Sequence, residues 1–179
     1  MVQATSHTGS GKAQASAHQD AVALLKADHR KVEGLFETFE KARGADRKAA
    51  LVKQICTELK IHTAIEEEIF YPACRGQIEE DLLDEAYVEH DAAKKLIAEL
   101  EASAPDEDFY DAKVKVLSEE IEHHVEEEEK RAEGMFAQAT KAGLDMDALG
   151  DEMAARKAQL MEQASSGAPL PSEPTTFKD

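Results

Sequence analysis

Two histidine–glutamate pairs with the same spacing constrain the fold of this chain most strongly. His62 precedes Glu66 by four residues, and His124 precedes Glu128 by four residues. Residues four apart lie one turn apart on the same face of an α-helix. That face is otherwise apolar, with Leu51, Ile55, Leu59 and Ile69 in the first stretch and Tyr110, Val114, Leu117 and Ile121 in the second. Both pairs are therefore predicted to point into the core of a helical protein.

A single histidine precedes each pair at nearly the same distance, so the two halves of the chain repeat. His29 lies 33 residues before His62, and His90 lies 34 residues before His124. In both halves an acidic residue comes directly before the single histidine, and apolar residues follow it at helical spacing. Each half is therefore predicted to be a helical hairpin that presents two histidines and one glutamate. Two such hairpins predict an all-α fold, an up-down-up-down four-helix bundle.

Capping residues, glycines and prolines predict where the helices begin and end. The four bundle helices are expected from Asp20 to Arg43-Gly44, from Asp46 to just past Pro72, from beyond Gly76 to Ser103, and from about Asp106 through Met135 and Phe136 toward Gly143. The predicted organisation is a disordered arm over residues 1–18, which includes His7 and His18, the bundle over 19–143, a short C-terminal fifth helix over 144–164 and a disordered tail over 165–179. The tail is expected to be disordered because it contains three prolines and cannot build a core.

Composition excludes several classes of partner. The chain has 179 residues and a formal net charge of −17, which opposes binding to nucleic acid or to an anionic membrane surface. No stretch approaches the ~20 consecutive apolar residues of a membrane-spanning helix. Residues 1–19 also lack the apolar segment of a secretory signal, so we expect a cytoplasmic protein. Cys56 and Cys74 have no short paired spacing, which indicates free structural thiols.

Four histidines and two glutamates that converge in a core need a binding partner there. Buried ionisable groups lose their hydration, so they are normally paired or bound to a metal ion. Nitrogen and oxygen donors without thiolates favour iron or manganese, and zinc also accepts them. We therefore predict a site for two metal ions made of His29, His62, Glu66, His90, His124 and Glu128. In this assignment the glutamates bridge the ions, the two histidines of the first half bind one ion, and those of the second half bind the other.

Other interpretations apply to residues near this set. A single histidine on an apolar face is usually a hydrogen-bonded core residue, and only the repeated combination with carboxylates favours metal. His123 is rotated by about 100° from His124 on the helix, so it is expected to face solvent or to support a ligand. The run 126–129 is expected to be a solvated acidic face apart from Glu128.

At these positions the chain resembles the hemerythrin-like cation-binding domain family. The resemblance covers residues from about 20 to 140. It includes His29, His62-x-x-x-Glu66, His90 and His124-x-x-x-Glu128, with Asp28-His29, Glu89-His90 and the run Glu66-Glu67-Glu68-Ile69-Phe70-Tyr71-Pro72 as local setting. It implies a non-haem centre of two iron ions with a bridging oxygen. It also implies small ligands such as oxygen, peroxide or nitric oxide.

The chain departs from the family pattern at two places. Oxygen carriers of the family have a further histidine one turn from the partner of His90, where this chain has Ala86 and Lys94. This departure argues against a reversible oxygen carrier, and it raises the alternative that Tyr87 approaches the position, although a packed core tyrosine is the commoner case. Phe136 follows Glu128 by eight residues, which indicates that the fourth helix runs a turn further or bulges.

Three functions remain open from the sequence. The first is the binding or reduction of small oxidants at the two-iron centre. The second is catalase-like or peroxidase activity at that centre, which the missing histidine favours. The third is a sensor or interaction module without turnover, whose stability reports iron or oxidant and whose tails recruit a protein partner.

Overall fold

The computed structural model describes residues 19–177 and is all-helical over that range, which confirms the predicted fold class. Its elements are α1 (Ala21–Lys41), α2 (Ala45–Ile65), a π-helical segment (Glu66–Phe70), α3 (Tyr71–Cys74), α4 (Glu80–Ala102), α5 (Tyr110–Glu129), α6 (Met135–Ala142) and α7 (Met146–Ser165). The predicted arm over 1–18, with His7 and His18, lies outside the described residues. Within 19–177, no helix is long and apolar enough to cross a membrane.

Helices α1, α2, α4 and α5 form an antiparallel bundle in which each helix contacts the next. Cross-helix ion pairs mark the four contacts: Lys31–Glu58 between α1 and α2, Lys60–Glu101 between α2 and α4, Lys113–Glu99 between α4 and α5, and Arg30–Glu129 between α5 and α1. This order is the up-down-up-down arrangement that short connections between antiparallel helices favour.

Apolar side chains fill the bundle on both sides of a central polar layer. One cluster contains Val32, Phe36, Phe39, Leu51, Ile55, Leu59, Ile97, Leu100, Val114, Leu117 and Ile121. The other contains Leu24, Leu25, Ile61, Ile65, Phe70, Leu83, Met135, Phe136, Met153 and Leu160. Burying a side chain of this kind contributes about 1.5–3 kcal/mol, so the two clusters can offset the cost of the polar layer between them. Cys56 and Cys74 are buried free thiols, as the sequence predicted.

The fourth bundle helix is shorter than the sequence predicted. Instead of running to Gly143, α5 ends at Glu129, a turn follows, and α6 starts at Met135. Gly134 folds back against the end of α5, where an added Cβ would lie 2.6–2.7 Å from backbone atoms of residues 127–130. The turn returns Phe136 to the central layer, where its ring stacks on His29 with a centroid separation of 5.9 Å.

Helix α7 packs across α1, α2 and the π-helical segment. Its Gly150 lies against the start of α1, where an added Cβ would be 2.4 Å from the carbonyl oxygen of Gln19. Further along α7, Arg156 donates to both carboxylate oxygens of Glu68 at 2.6 and 2.9 Å. The next residue, Lys157, donates to Asp28. The predicted fifth helix is therefore part of the wall around the polar layer.

The segment after α7 differs from the disordered tail expected from the sequence. Residues 173–177 lie against α4 through hydrogen bonds from the backbone amides of Thr175, Thr176 and Phe177 to Asp91. The donors in these contacts are backbone amides, which are present whatever the side chains are. The amino-acid composition therefore does not predict the contacts.

Candidate metal centre

The six residues predicted from the sequence meet in the central polar layer. Each of them is at least 95% buried. Their donor atoms fall into two groups, and the donors within a group lie within 4.8 Å of one another. The first group consists of His29, His62, Glu66 and Glu128. The second consists of Glu66, His90 and His124. The structure thus brings together all six residues, and it places Glu66 in both groups.

In the first group three donor atoms lie very close together. The Nε2 atoms of His29 and His62 are 3.2 Å apart, and Glu66 Oε2 is 3.1 Å from His62 Nε2. Glu128 Oε2 approaches His29 Nε2 to 3.3 Å. Donors bound to one ion at about 2.0–2.1 Å lie roughly 3 Å apart, so these separations fit a single transition-metal ion.

The second group repeats this arrangement on the other side of Glu66. The Nε2 atoms of His90 and His124 are 3.2 Å apart, and Glu66 Oε2 is 3.3 Å from His90 Nε2. Glu128 turns its other oxygen, Oε1, toward this side and lies 3.7 Å from His124 Nε2. Both carboxylates therefore lie between the two pairs of histidines, as the bridging assignment requires.

Some polar atoms in this layer have no hydrogen-bond partner among residues 19–177. They include Glu66 Oε1, Glu128 Oε2 and His62 Nδ1. A buried carboxylate oxygen without a donor loses its hydration without compensation. Bound cations remove that penalty, so the residues present fit a pair of metal ions.

Tyr71 adds a hydroxyl to the second group. Its oxygen lies 3.2 Å from His90 Nε2, 3.5 Å from His124 Nε2, 3.1 Å from Glu128 Oε1 and 3.4 Å from Glu66 Oε2. The side chain is fully buried. By these distances the hydroxyl stands as a further donor beside Glu66, Glu128, His90 and His124.

The π-helical segment explains why Tyr71 is absent from the sequence prediction. In a regular α-helix, residue 71 would be rotated by about 140° from Glu66, at 100° per residue. Residues 66–70 instead form a π-helical turn, in which the amide of Tyr71 donates to the carbonyl of Glu66. The wider turn brings Tyr71 back to the inner face. A π turn of this kind is typical of functional sites and has no reliable sequence signature.

Tyr87, the tyrosine considered from the sequence, takes a supporting position. It is half-buried, its ring packs edge-on against Tyr71 at 5.2 Å, and Arg75 lies over its other side at 5.8 Å. Tyr87 therefore holds the ring of Tyr71 in place.

Each of the four histidines contacts a carboxylate through its outer nitrogen. His29 Nδ1 donates to Glu129 at 2.8 Å, His90 Nδ1 donates to Glu67 at 3.0 Å, and His124 Nδ1 donates to Glu89 at 2.7 Å, while His62 Nδ1 lies 3.7 Å from Asp28. Such outer carboxylates fix the tautomer and orientation of a metal-binding imidazole. They leave each Nε2 lone pair directed into the layer.

These carboxylates occupy equivalent positions in the two halves of the chain. Asp28 and Glu89 come directly before His29 and His90, while Glu67 and Glu129 come directly after Glu66 and Glu128. Each in turn has a partner that holds it: Arg30 for Glu129, Lys157 for Asp28, Lys94 and Thr175 for Glu67, and His123 at 3.6 Å for Glu89.

Glu129 and His123 lie beside the six predicted residues, and only His123 takes the position expected from the sequence. Glu129 was expected on a solvated face, but its hydrogen bond to His29 makes it part of the site. Glu129 is the last residue of α5, and its side chain reaches His29 on α1. His123 has a side chain that is 60% exposed and contacts Glu89, in agreement with the solvent-facing, supporting position expected.

Burial and neighbouring charges strongly perturb the groups in this layer when no cation is present. Burial alone would lower the pKa of His62. The charges of Glu66 and Asp28 have the larger effect and raise this pKa to about 10. The same balance raises the pKa of His124 to about 9, with Glu128 and Glu89 as the charges. Burial and the charges of Glu128 and Glu66 raise the pKa of Tyr71 well above its usual value. Without metal, the layer therefore holds protons in place of cations.

The fold and this layer define an all-helical bundle protein with a buried cation-binding centre. The chain belongs to the hemerythrin HHE cation-binding domain family, whose model matches residues 20–136. A crystal structure of an HHE cation-binding domain-containing protein from Mycobacterium kansasii has a similar fold, with a TM-score of 0.68 and 26% sequence identity. That similarity covers 83% of this chain and 91% of the other.

A curated relative matches part of the chain. It is a protein described as a DNA nickase from Nostoc sp. (strain PCC 7120 / SAG 25.82 / UTEX 2576), and the two sequences are 29% identical over 123 residues. The matched region covers 68% of this chain but only 35% of the relative, so the chain spans about a third of that protein's length.

Proposed function

We propose that this protein binds two iron ions in the central layer and uses them to bind or reduce small oxidants, namely oxygen, peroxide or nitric oxide. The observation that supports the proposal is the pair of buried donor groups that share Glu66. A shared carboxylate between two sets of imidazoles suits two ions held close together.

The donor set is of the kind that favours iron or manganese. The donor atoms of the two groups are imidazole nitrogens and carboxylate oxygens, joined by the phenol oxygen of Tyr71. Cys74 lies nearby, but burial and the charges of Glu128 and Glu66 raise its pKa to about 12, which keeps it a thiol. Nitrogen and oxygen donors suit iron and manganese, and zinc also fits but has no redox chemistry.

Tyr71 distinguishes the two sides of the centre. On the side of His90 and His124, where the sequence has no additional histidine, its hydroxyl supplies a donor. A cation next to Tyr71 favours the phenolate, because its positive charge opposes the neighbouring carboxylates that raise the pKa of the phenol. We infer that Tyr71 binds the metal on this side and leaves the side of His29 and His62 to receive the oxidant.

The ions supply the electrons for the reaction when they are bound, and the protein supplies orientation and exclusion of water. The four outer carboxylates hold the imidazole rings, and Phe70 and Phe136 close one end of the layer with centroids 5.7 Å apart. The layer is almost fully buried, so a ligand must be small to enter it. The ligands proposed are therefore diatomic molecules and peroxide, and not nucleic acid, which the net charge of −17 also opposes.

Metal analysis and an optical spectrum of protein purified in air test this function. We expect about two irons per chain, near-ultraviolet absorption from an oxygen bridge and a visible band from the Tyr71 phenolate bound to iron. Oxygen evolution after addition of peroxide then separates turnover from binding alone. A colourless protein that stays metal-free after incubation with ferrous iron would contradict the proposal.

A further inference from the structure

Residues 173–177, here called the strap, bind a buried carboxylate next to a predicted metal ligand. The carboxylate belongs to Asp91, which is fully buried and follows His90 on α4. It accepts hydrogen bonds from the backbone amides of Thr175, Thr176 and Phe177 at 2.8, 2.5 and 3.1 Å, and from the Thr176 hydroxyl at 2.7 Å. Burial raises the pKa of Asp91, but these hydrogen bonds outweigh it and hold the pKa well below its usual range.

Lys94 joins the strap to a second carboxylate. Its ammonium donates to Asp91 at 3.2 Å, to both oxygens of Glu67 at 2.7 and 2.9 Å, and to the carbonyl of Glu173 at 3.3 Å. The Thr175 hydroxyl also donates to Glu67 at 3.0 Å. Lys94 is 94% buried, so its ammonium is held by these protein groups and has little contact with solvent.

Glu67 connects these contacts to the metal centre. Its Oε1 accepts the hydrogen bond from His90 Nδ1, which directs His90 Nε2 into the layer. The carboxylates beside His29, His62 and His124 are held by residues of helices, whereas Glu67 is held in part by the non-helical strap. Among the four histidines of the central layer, His90 is therefore the one whose orientation depends on this segment.

We propose that the strap is a positioning element: its docking on Asp91 fixes Glu67 and His90, and thereby slows release of the metal ion on the side of His90 and His124. The proposal rests on the two-metal function proposed above. When the strap is undocked, Glu67 loses the Thr175 hydroxyl and Asp91 loses four donors. Lys94 is then drawn toward Asp91, and the imidazole of His90 gains freedom to rotate away from the ion.

The test compares the full-length protein with a double variant, Thr175→Val and Thr176→Val, and with Thr57→Val as the matched control. The double variant removes the two strap hydroxyls and keeps the shape of both side chains. Thr57 donates to the carbonyl of Lys53 on α2 and has no part in the strap contacts. With an iron chelator in excess, we expect the double variant to release one of its two ions about 10-fold faster, since outer contacts to a ligand change affinity by about 10- to 100-fold. The second ion, and both ions of the control, should leave at the wild-type rate.

Two measurements on metal-free protein decide the proposal independently of iron loading. Hydrogen exchange at the backbone amides of residues 176 and 177 should be slow in the wild type and at least 10-fold faster in the double variant. The Nδ1–H signal of His90 in nitrogen-15 spectra should be sharp in the wild type and broadened in the double variant. If this signal and the release of both ions are unchanged in the double variant, the proposal is overturned. If the wild type binds no iron, the proposed function fails, and the His90 signal still decides whether the strap positions that residue.

Discussion

Replacing Tyr71 with Phe removes one hydroxyl from the central layer and leaves the ring packing in place. In the metal-free protein, this hydroxyl donates to Glu128 at 3.1 Å and approaches Glu66 at 3.4 Å. A hydrogen bond to a charged group contributes about 1.5–3 kcal/mol, and we expect the free energy of unfolding to fall by that amount. For a chain of this size each kcal/mol lowers the melting temperature by about 2–4 °C, so the decrease should be about 3–12 °C.

The same substitution has a separate effect on the iron-loaded protein. Without the phenol oxygen, the side of His90 and His124 loses one of its donors. We expect the visible phenolate band to disappear and the iron content to fall toward one ion per chain. Iron analysis and absorption spectra of the reconstituted variant measure both effects.

The matched control is Tyr87→Phe, which removes a hydroxyl from the neighbouring ring. Tyr87 packs against Tyr71 at 5.2 Å, and its hydroxyl is hydrogen-bonded to Arg75. This variant should keep two irons and the visible band. The reasoning would be refuted if Tyr71→Phe kept the wild-type melting temperature, spectrum and iron content, or if the control lost the band instead.

Four further predictions concern the residues of the layer and the turn after α5. His124→Ala should reduce iron toward one ion per chain, whereas His123→Ala should leave the stoichiometry unchanged; an exchange of these phenotypes would show that α5 is rotated by one residue. The pKa of His62 is raised to about 10 and that of His124 to about 9 in the folded metal-free protein, against about 6.5 when unfolded. The stabilisation from these groups is complete below pH 6.5 and is lost as the pH rises toward 10, so denaturant unfolding of metal-free protein should show decreasing stability over that range. The iron-loaded protein should instead lose iron as the pH falls toward about 5, because protons compete for the imidazoles; chelator-free dialysis followed by iron analysis measures this. Gly134→Ala should cost about 1–3 kcal/mol in thermal unfolding because its Cβ meets backbone at 2.6 Å, whereas Gly34→Ala, with open space around it, should be neutral or stabilising.

The sequence predicts the central layer well because its main signals are periodic. His62 and Glu66 share a helix face with apolar residues, and the repeat at His124 and Glu128 makes coincidence improbable. The all-helical fold and the convergence of the six residues follow from that pattern. The outer carboxylates Asp28 and Glu89 also precede their histidines in both halves, but their pairing with His62 and His124 depends on how the hairpins close.

Three features could not be predicted because tertiary structure overrides local pattern. Tyr71 reaches the layer through a π-helical turn, which shifts the helical phase after Glu66. The break after α5 depends on the close approach of Gly134 to the preceding helix end, a contact that the sequence does not show. The strap binds Asp91 mainly through backbone amides, whose presence is independent of side-chain identity.

The outer carboxylates make the two hairpins depend on each other. Glu67 belongs to the first hairpin but orients His90 of the second, and Glu129 belongs to the second hairpin but orients His29 of the first. A single hairpin would have two histidines and a glutamate, but one of those histidines would lack its orienting partner. Because each hairpin orients a histidine of the other, all four histidines are oriented for metal only when both hairpins have docked. Metal uptake therefore reports the completion of folding. Two separately expressed halves should therefore bind iron weakly when alone and regain tight binding when mixed.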